Sequence, residues 1–198
     1  MNGPVTKGGL GVAEHGNRAV FLDRDGTIIE DVDYLTRVDQ MRILPGAAEA
    51  LSQLKAAGFL LIVVTNQSAI ARGWLTEEEL GRIHAELNRR LAAMNAPPVD
   101  AFYACPHLPG GAVGRYAVEC RCRKPQPGLL EQAQRDWDVD MAGSYMVGDS
   151  QRDVVAGRRA GCCPVLIGPE PCGLADATVS DLREAARWIL AREEGGPA

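Results

Sequence analysis

The sequence predicts an α/β fold, a parallel sheet flanked by helices, and three observations predict it. Short apolar runs alternate with helix-period segments, no repeat or linker divides the 198 residues, and 46% of them are hydrophobic. Such alternation builds βαβ units with right-handed crossovers, and this apolar content at this length suits a single domain with a sizeable core.

Ala19-Val-Phe-Leu-Asp23 reads as a buried first strand and Leu60-Leu-Ile-Val-Val-Thr65 as a second, both unbroken apolar runs. Between them, Gly46–Ala57 places Ala47, Leu51 and Leu54 on one helical face, with Gly58 set to end it. The clearest helix is Glu77–Met94. Thr76 and Glu79 form its capping box, and Leu80, Ile83, Leu87, Leu91 and Met94 recur at helical spacing. His84 falls beside that stripe and reads as a core-edge residue. Ala101–Ala104, Ser144–Gly148 and Pro164–Gly168 are weaker strand signals. Pro127 fits the first turn of a helix reaching about Asp136, Gln151–Ala160 closes at Gly161, and Asp181–Ala191 follows a Ser180 cap. Residues 1–16 and 193–198 read as flexible tails around one domain spanning 17–192.

A formal charge of −5 provides no basic field to draw the chain onto nucleic acid or an anionic membrane. No apolar run is long enough to span a bilayer, and Met1–Gly16 lacks a signal-peptide core, so a cytoplasmic address is expected. In that reducing compartment the six cysteines are expected as thiols.

In parallel sheets, ligands sit outside the carboxyl ends of the strands. At those ends the sequence gathers Asp23-Arg-Asp25-Gly-Thr27, then Thr65-Asn66-Gln67, then Gly148-Asp149-Ser150 with Asp153 one turn on. Carboxylates converging from neighbouring strands would repel each other and any anionic substrate unless a cation joined them, and hard oxygen donors suit Mg²⁺. Such a set can carry phosphoryl transfer: one aspartate attacks, a second carboxyl shuttles the proton, and a hydroxyl and a lysine hold the transferring oxygens. Thr65 and Lys124 are the candidates for that hydroxyl and lysine.

The strings Phe21–Thr27 (FLDRDGT), Val63–Ser68 (VVTNQS), Cys122–Gly128 (CRKPQPG) and Val147–Asp153 (VGDSQRD) resemble, in order, the four motifs of the haloacid-dehalogenase superfamily of phosphatases. The resemblance implies a Rossmann-like sheet in which Asp23 is the nucleophile and Asp25 the general acid/base. It implies that Thr65 and Lys124 bind phosphate, that Asp149 holds Mg²⁺ with Asp23 and the main-chain carbonyl of Asp25, and that Asp153 supports the site.

Cys105-Pro-His107 and Cys120-Arg-Cys122 offer four donors of a kind and number that suit a closed tetrahedral zinc site. The Gly- and Pro-rich insert between them cannot build its own core, so the metal would order it. This zinc-binding loop ends two residues before Lys124. Within the superfamily the combination is similar to the D-glycero-D-manno-heptose 1,7-bisphosphate phosphatases and the histidinol phosphatases grouped with them, which lack a cap domain. Thr65–Gly73, Ala104–His107 and Ser144–Asp149 carry the similarity to the heptose enzymes.

By that resemblance the protein is a capless, Mg²⁺-dependent phosphatase, with structural Zn²⁺, that removes the 7-phosphate of the heptose bisphosphate. It would act as a monomer on a small phosphorylated sugar, without nucleic-acid or membrane partners. Asp31, Tyr34, Asn66, Gln67, Ser68 and Arg123 are carried over as substrate contacts. Ser150 departs from the pattern, standing where several heptose enzymes have lysine, which removes a positive charge near the phosphate. Histidinol-phosphate phosphatase and DNA 3′-phosphatase are the alternative activities, the second opposed by the acidic charge.

Overall fold

Alternate residues of a strand face opposite ways, and in the first strand both faces are buried. In β1 (Ala19–Leu22), Ala19 and Phe21 join one apolar cluster while Val20 and Leu22 join another. Such a strand needs helices on both sides. The computed structural model, which describes residues 16–195, supplies them. On one face, α1 (Ala47–Ala56), α2 (Glu77–Ala93) and α5 (Leu182–Gly195) contribute Leu51, Leu54, Leu80, Ile83, Leu87, Leu91 and Ile189. On the other, α3 (Gly128–Trp137) and α4 (Gln151–Ala160) contribute Leu129, Leu130, Ala133 and Ala156.

The remaining strands are β2 (Leu60–Asn66), β3 (Ala101–Cys105), β4 (Tyr145–Gly148), β5 (Cys163–Ile167) and β6 (Ala177–Val179). All pairings are parallel, in the order β3-β2-β1-β4-β5-β6. The chain winds outward from β1 to one edge, then returns to the other side of β1 with β4. The strand order therefore reverses between β1 and β4, and a crevice opens at their carboxyl ends.

After β1 the backbone forms a short stem: Glu30 N–H donates to Arg42 O at 2.9 Å and Leu44 N–H to Ile28 O at 3.0 Å. The loop it carries is pinned by Arg90 of α2, which donates to Met41 O at 2.6 Å and Val38 O at 2.9 Å.

The structure moves several expected boundaries. Pro127 caps α3 from outside, and the helix begins at Gly128. Asp181 rather than Ser180 caps α5, its Oδ1 accepting from Glu184 N–H at 2.9 Å. That helix runs to Gly195, so Glu193, expected in a tail, is anchored: it accepts from the Tyr145 hydroxyl at 2.6 Å and pairs with Arg18. The rest of the expected tails, residues 1–15 and 196–198, lies outside the described residues. The edge strand β6 is an addition, three half-buried residues with no apolar run to announce it. Among the described residues no helix is long and apolar enough to cross a membrane.

Candidate active site

The β1 ladder extends one residue beyond the strand. Asp23 N–H donates to Val147 O at 2.9 Å, which sets Asp23 on the rim beside the end of β4. The chain then turns sharply, with the Ile28 and Ile29 N–H groups both donating to Arg24 O at 3.0 and 3.1 Å. Gly26 has φ +76°, and a Cβ there would collide with the Asp149 carboxylate. Glycine is required both by the backbone angle and by the closeness of the second carboxylate. Gly148 answers a similar demand, because a Cβ on it would run into Asp153.

Lys124 reaches this rim from the segment before α3 and is 2% exposed. Its Nζ lies 2.9 Å from Asp23 Oδ1 and 2.6 Å from Asp153 Oδ1, and donates to Val64 O at 2.7 Å. Three acceptors match the three protons of an ammonium. Burial works against its charge, but Asp23 and Asp153 outweigh burial and hold the Lys124 pKa above the ordinary lysine value. Removing one partner of such a buried pair typically costs about 3–5 kcal/mol. The Asn66 side chain fixes the approach of this segment, accepting from Lys124 N–H at 3.0 Å and donating to Lys124 O at 3.1 Å.

Asp25 is held by a different set. Arg24 Nη2 lies 3.0 and 2.9 Å from its two carboxylate oxygens, and Gln67 Nε2 donates to Oδ2 at 3.0 Å. Gln67 also donates to Thr65 Oγ1 at 2.8 Å, which ties the hydroxyl at the end of β2 to the carboxylate after β1. Burial pushes the Asp25 carboxyl up, Arg24 opposes that, and the nearby Asp23 charge adds to it, so the net direction is upward. A carboxyl shifted that way can keep its proton nearer to neutral pH and give it to a leaving group. Arg24, only 1% exposed, was not singled out by its sequence. An arginine between two aspartates reads as surface charge, and only the fold shows it buried beneath Asp25. Its Nη1 also lies 3.4 Å from His84 Nε2, and the His84 ring stacks on Phe102 with centroids 4.3 Å apart. Burial, then Arg24, hold His84 down to about 3.

Two groups of side chains have the donors for a metal. Asp23, Asp149 and Asp153 each present an oxygen within 4.8 Å of the others. Asp149 is open to solvent on one side, yet its carboxyl is raised to about 6, by loss of solvation first and by the Asp23 and Asp153 charges next. Crowded carboxylates that strain against ionising fit a hard divalent cation.

The second group is Cys105, His107, Cys120 and Cys122. Their Sγ and Nδ1 atoms stand 3.7 Å (Cys105–His107), 3.5 Å (Cys105–Cys120), 3.3 Å (His107–Cys122), 3.2 Å (Cys105–Cys122) and 3.3 Å (Cys120–Cys122) apart. Metal bonds of roughly 2.0–2.3 Å to a tetrahedron of such donors need edges of about 3.3–3.8 Å, so the donor set fits zinc. All six cysteines are free thiols. The insert between the donor pairs borrows a core: Tyr116 is buried, and Leu108 and Val113 pack on the main apolar cluster. It also braces the rim, because Arg123 Nη1 donates to His107 O at 3.2 Å and Val113 N–H to Ala71 O at 2.9 Å.

A cavity of about 280 Å³ lies over this rim. Asp23, Asp25, Asp31, Tyr34, Thr65, Asn66, Gln67, Ser68, Arg123, Lys124 and Asp149 all line it, while Asp153 stands behind Lys124. The fold thus brings the residues expected at the phosphate and magnesium site to one rim, and the four expected zinc donors together in the neighbouring loop. Arg24, Arg72 and Arg152 line it too, unannounced by the sequence. Arg152 offsets the charge missing at Ser150: its Nε donates to Ser150 Oγ at 2.9 Å, which brings the guanidinium to the cavity wall. Ser150 itself is the cap of α4, with Asp153 closing the capping box.

A parallel sheet with carboxylates at its switch point, and a buried lysine reaching them from the segment before α3, defines the HAD-like class of hydrolases. A family model described as HAD-hydrolase-like matches residues 121–184. The chain is 42% identical over 146 residues to a D-glycero-β-D-manno-heptose-1,7-bisphosphate 7-phosphatase of Haemophilus ducreyi, spanning 74% of this chain and 80% of that one. It is also 42% identical over 151 residues to the α-anomer enzyme of Burkholderia mallei, spanning 76% and 79%. The crystal structure of the D,D-heptose 1,7-bisphosphate phosphatase from B. bronchiseptica, complexed with magnesium and phosphate, matches with TM-score 0.75 at 35% identity, over 88% of this chain and 98% of that one. The chain belongs to the heptose-1,7-bisphosphate 7-phosphatase family of HAD-like phosphatases.

Proposed function

We propose that this protein removes the 7-phosphate of D-glycero-D-manno-heptose 1,7-bisphosphate by way of a phosphate ester on Asp23. The observation that carries the reading is the Lys124–Asp23 contact at 2.9 Å, in a cavity also lined by Asp25, Thr65 and Asp149. The relatives' activity supplies the sugar. Those relatives divide between the two anomers.

Asp23 Oδ1 is taken by Lys124, and Oδ2 accepts no hydrogen bond among the described residues, so Oδ2 is the attacking atom. It forms a bond to phosphorus as the bond to the sugar oxygen breaks, and Asp25 gives its proton to that oxygen. A water then attacks the phosphorus. Asp25 takes a proton from it, the bond to Asp23 breaks, and inorganic phosphate leaves. Lys124 and the Thr65 hydroxyl hold the transferring oxygens, where fixed charge supplies much of the rate. Gln67 and Asn66 keep Thr65, Asp25 and Lys124 in register, alongside their expected contact with the substrate.

The carboxylates of Asp23 and Asp149 with the main-chain carbonyl of Asp25 would hold Mg²⁺. The ion, when bound, neutralises the carboxylates and polarises the phosphate. Zn²⁺ would be held by Cys105, His107, Cys120 and Cys122 and would fix the loop beside Arg123 and Lys124. One chain supplies every group named, which fits a monomer.

The test is phosphate release across both heptose 1,7-bisphosphate anomers, histidinol phosphate and a 3′-phosphorylated oligonucleotide, with Mg²⁺ present. One heptose bisphosphate should exceed the last two by at least about 100-fold in kcat/KM, which corresponds to roughly 2.7 kcal/mol. A preference for histidinol phosphate would overturn the substrate, and full activity after stripping divalent ions would overturn the Mg²⁺ role.

A further inference from the structure

The cavity holds one arginine, Arg72, that no protein group engages by hydrogen bond or ion pair among the described residues. Its Nε is buried without a partner. Each of the other basic groups on the wall makes at least one contact with the protein. Lys124 has three acceptors, Arg24 holds Asp25, Arg123 donates to His107 O, and Arg152 donates to Ser150 Oγ. Asp31, on the same cavity, turns one carboxylate oxygen to its own loop, where Oδ1 accepts from Asp33 N–H at 3.0 Å.

Arg72 is nevertheless held in place. Its guanidinium carbon lies 5.3 Å from the Tyr34 ring centroid and 5.2 Å from that of Trp74. Those two rings meet edge to face at 4.8 Å. Trp74 is 55% exposed, an unusual place for so large an apolar side chain, and this contact with Tyr34 and Arg72 accounts for its position. The backbone beside it is fixed from the other side, where Ala71 O accepts from Val113 N–H. Aromatic rings hold a guanidinium by its face and leave its N–H edge unsatisfied, and that edge is the part that grips phosphate oxygens in pairs.

We infer that Arg72, oriented by Tyr34 and Trp74, is the specificity-determining residue that takes the second, non-transferring phosphate of a bisphosphate substrate. The inference rests on the phosphatase reading of this cavity but not on the identity of the sugar. Lys124 and Thr65 serve the phosphate that reacts; a substrate with two phosphates needs a second anion site at a distance. Arg72 is the arginine on the same wall whose guanidinium no acceptor among the described residues takes, which leaves its N–H edge for a ligand.

The experiment compares the parent, Arg72→Met, Arg72→Lys and Trp74→Ala on matched pairs of sugar bisphosphates and the monophosphates that keep the reacting phosphate. The pairs include the heptose and at least two other sugars. Arg72→Met should lower the bisphosphate-over-monophosphate ratio of kcat/KM by roughly 10- to 100-fold, with the monophosphate itself changing by no more than about threefold. Arg72→Lys should fall between, because it keeps charge but not the fork, and Trp74→Ala should move the ratio in the same direction by less. If the parent prefers a bisphosphate of another sugar and Arg72→Met abolishes that preference, the inference stands and the heptose reading falls. If the parent prefers the heptose bisphosphate and Arg72→Met keeps the ratio, the heptose reading stands and the inference falls. A parent with no preference for any bisphosphate, or an equal loss on both members of each pair, also overturns the inference.

Discussion

Lys124, which pairs with the carboxylate cluster, stands two residues after Cys122 of the cysteine–histidine cluster, yet the two clusters are built on opposite principles. In the first, oxygens from the ends of β1 and β4 and the start of α4 crowd together with their charges unbalanced, and Asp149 stays open to solvent. In the second, four donors close on one another, Cys105 is fully buried, and the surrounding loop packs on the core through Leu108, Val113 and Tyr116. Donors that complete a shell among themselves leave no place for a substrate. Donors left crowded and open need both a cation and an anion to satisfy them. On the proposed reading, the contrast separates a centre for chemistry from a brace for position.

Several changes would break or sharpen that contrast. Asp23→Asn should lower kcat by roughly 10⁴-fold or more while the protein stays folded, measured by phosphate release beside a thermal melt. Ordinary turnover would remove Asp23 from the reacting group. Asp25→Asn should cost about 10²- to 10⁴-fold, the usual worth of a general acid, and should cost less on substrates with an activated leaving group such as a nitrophenol. An equal loss on both substrates would argue against proton transfer by Asp25.

For the second cluster, elemental analysis should give about one zinc per chain. Cys122→Ser should lose that zinc and about 2–5 kcal/mol of stability, with a secondary fall in activity because Arg123 and Lys124 lose their brace. Unchanged melting with zinc absent would mean that the loop is held by packing alone.

The smallest effect concerns pH. Asp149 is raised to about 6 in the fold against an ordinary value of 3.8. A raised carboxyl contributes stability below 3.8 that is lost as pH rises through 6. Metal-free Asp149→Asn should therefore be more stable than the parent at pH 8, by less than about 1 kcal/mol given solvent screening, and no more stable at pH 4. Mg²⁺ should stabilise the parent at pH 8 and not the variant. Melting curves at the two pH values check both statements.

How much of this was legible follows from what each residue had to do. Asp23, Thr65 and Asp149 stand where parallel strands end, and strand ends can be read from apolar runs. The capping box at Thr76 and Glu79 is local chemistry and appears as expected. Arg24, Arg72 and Trp74 escaped because their roles come from neighbours distant in sequence, such as His84 for Arg24 and Tyr34 for Arg72. Strand β6 escaped because an edge strand of three half-buried residues needs no apolar run. Asp181 displaced Ser180 as the cap because either residue type can serve, and only backbone geometry chooses between them.

The stem formed by Ile28–Glu30 and Arg42–Leu44 bears on how this scaffold could be re-engineered. Its loop hangs over the cavity and is fastened to α2 by Arg90 alone of that helix's arginines. The proposed reacting groups stand on the sheet, whereas this loop adds Asp31, Tyr34 and Leu35 to the cavity lining, so its length can change the room for a substrate without moving them. A few residues added at its tip should narrow or widen the range of accepted sugars while leaving turnover of the smallest phosphate esters intact, which makes the loop a graft point for new substrates.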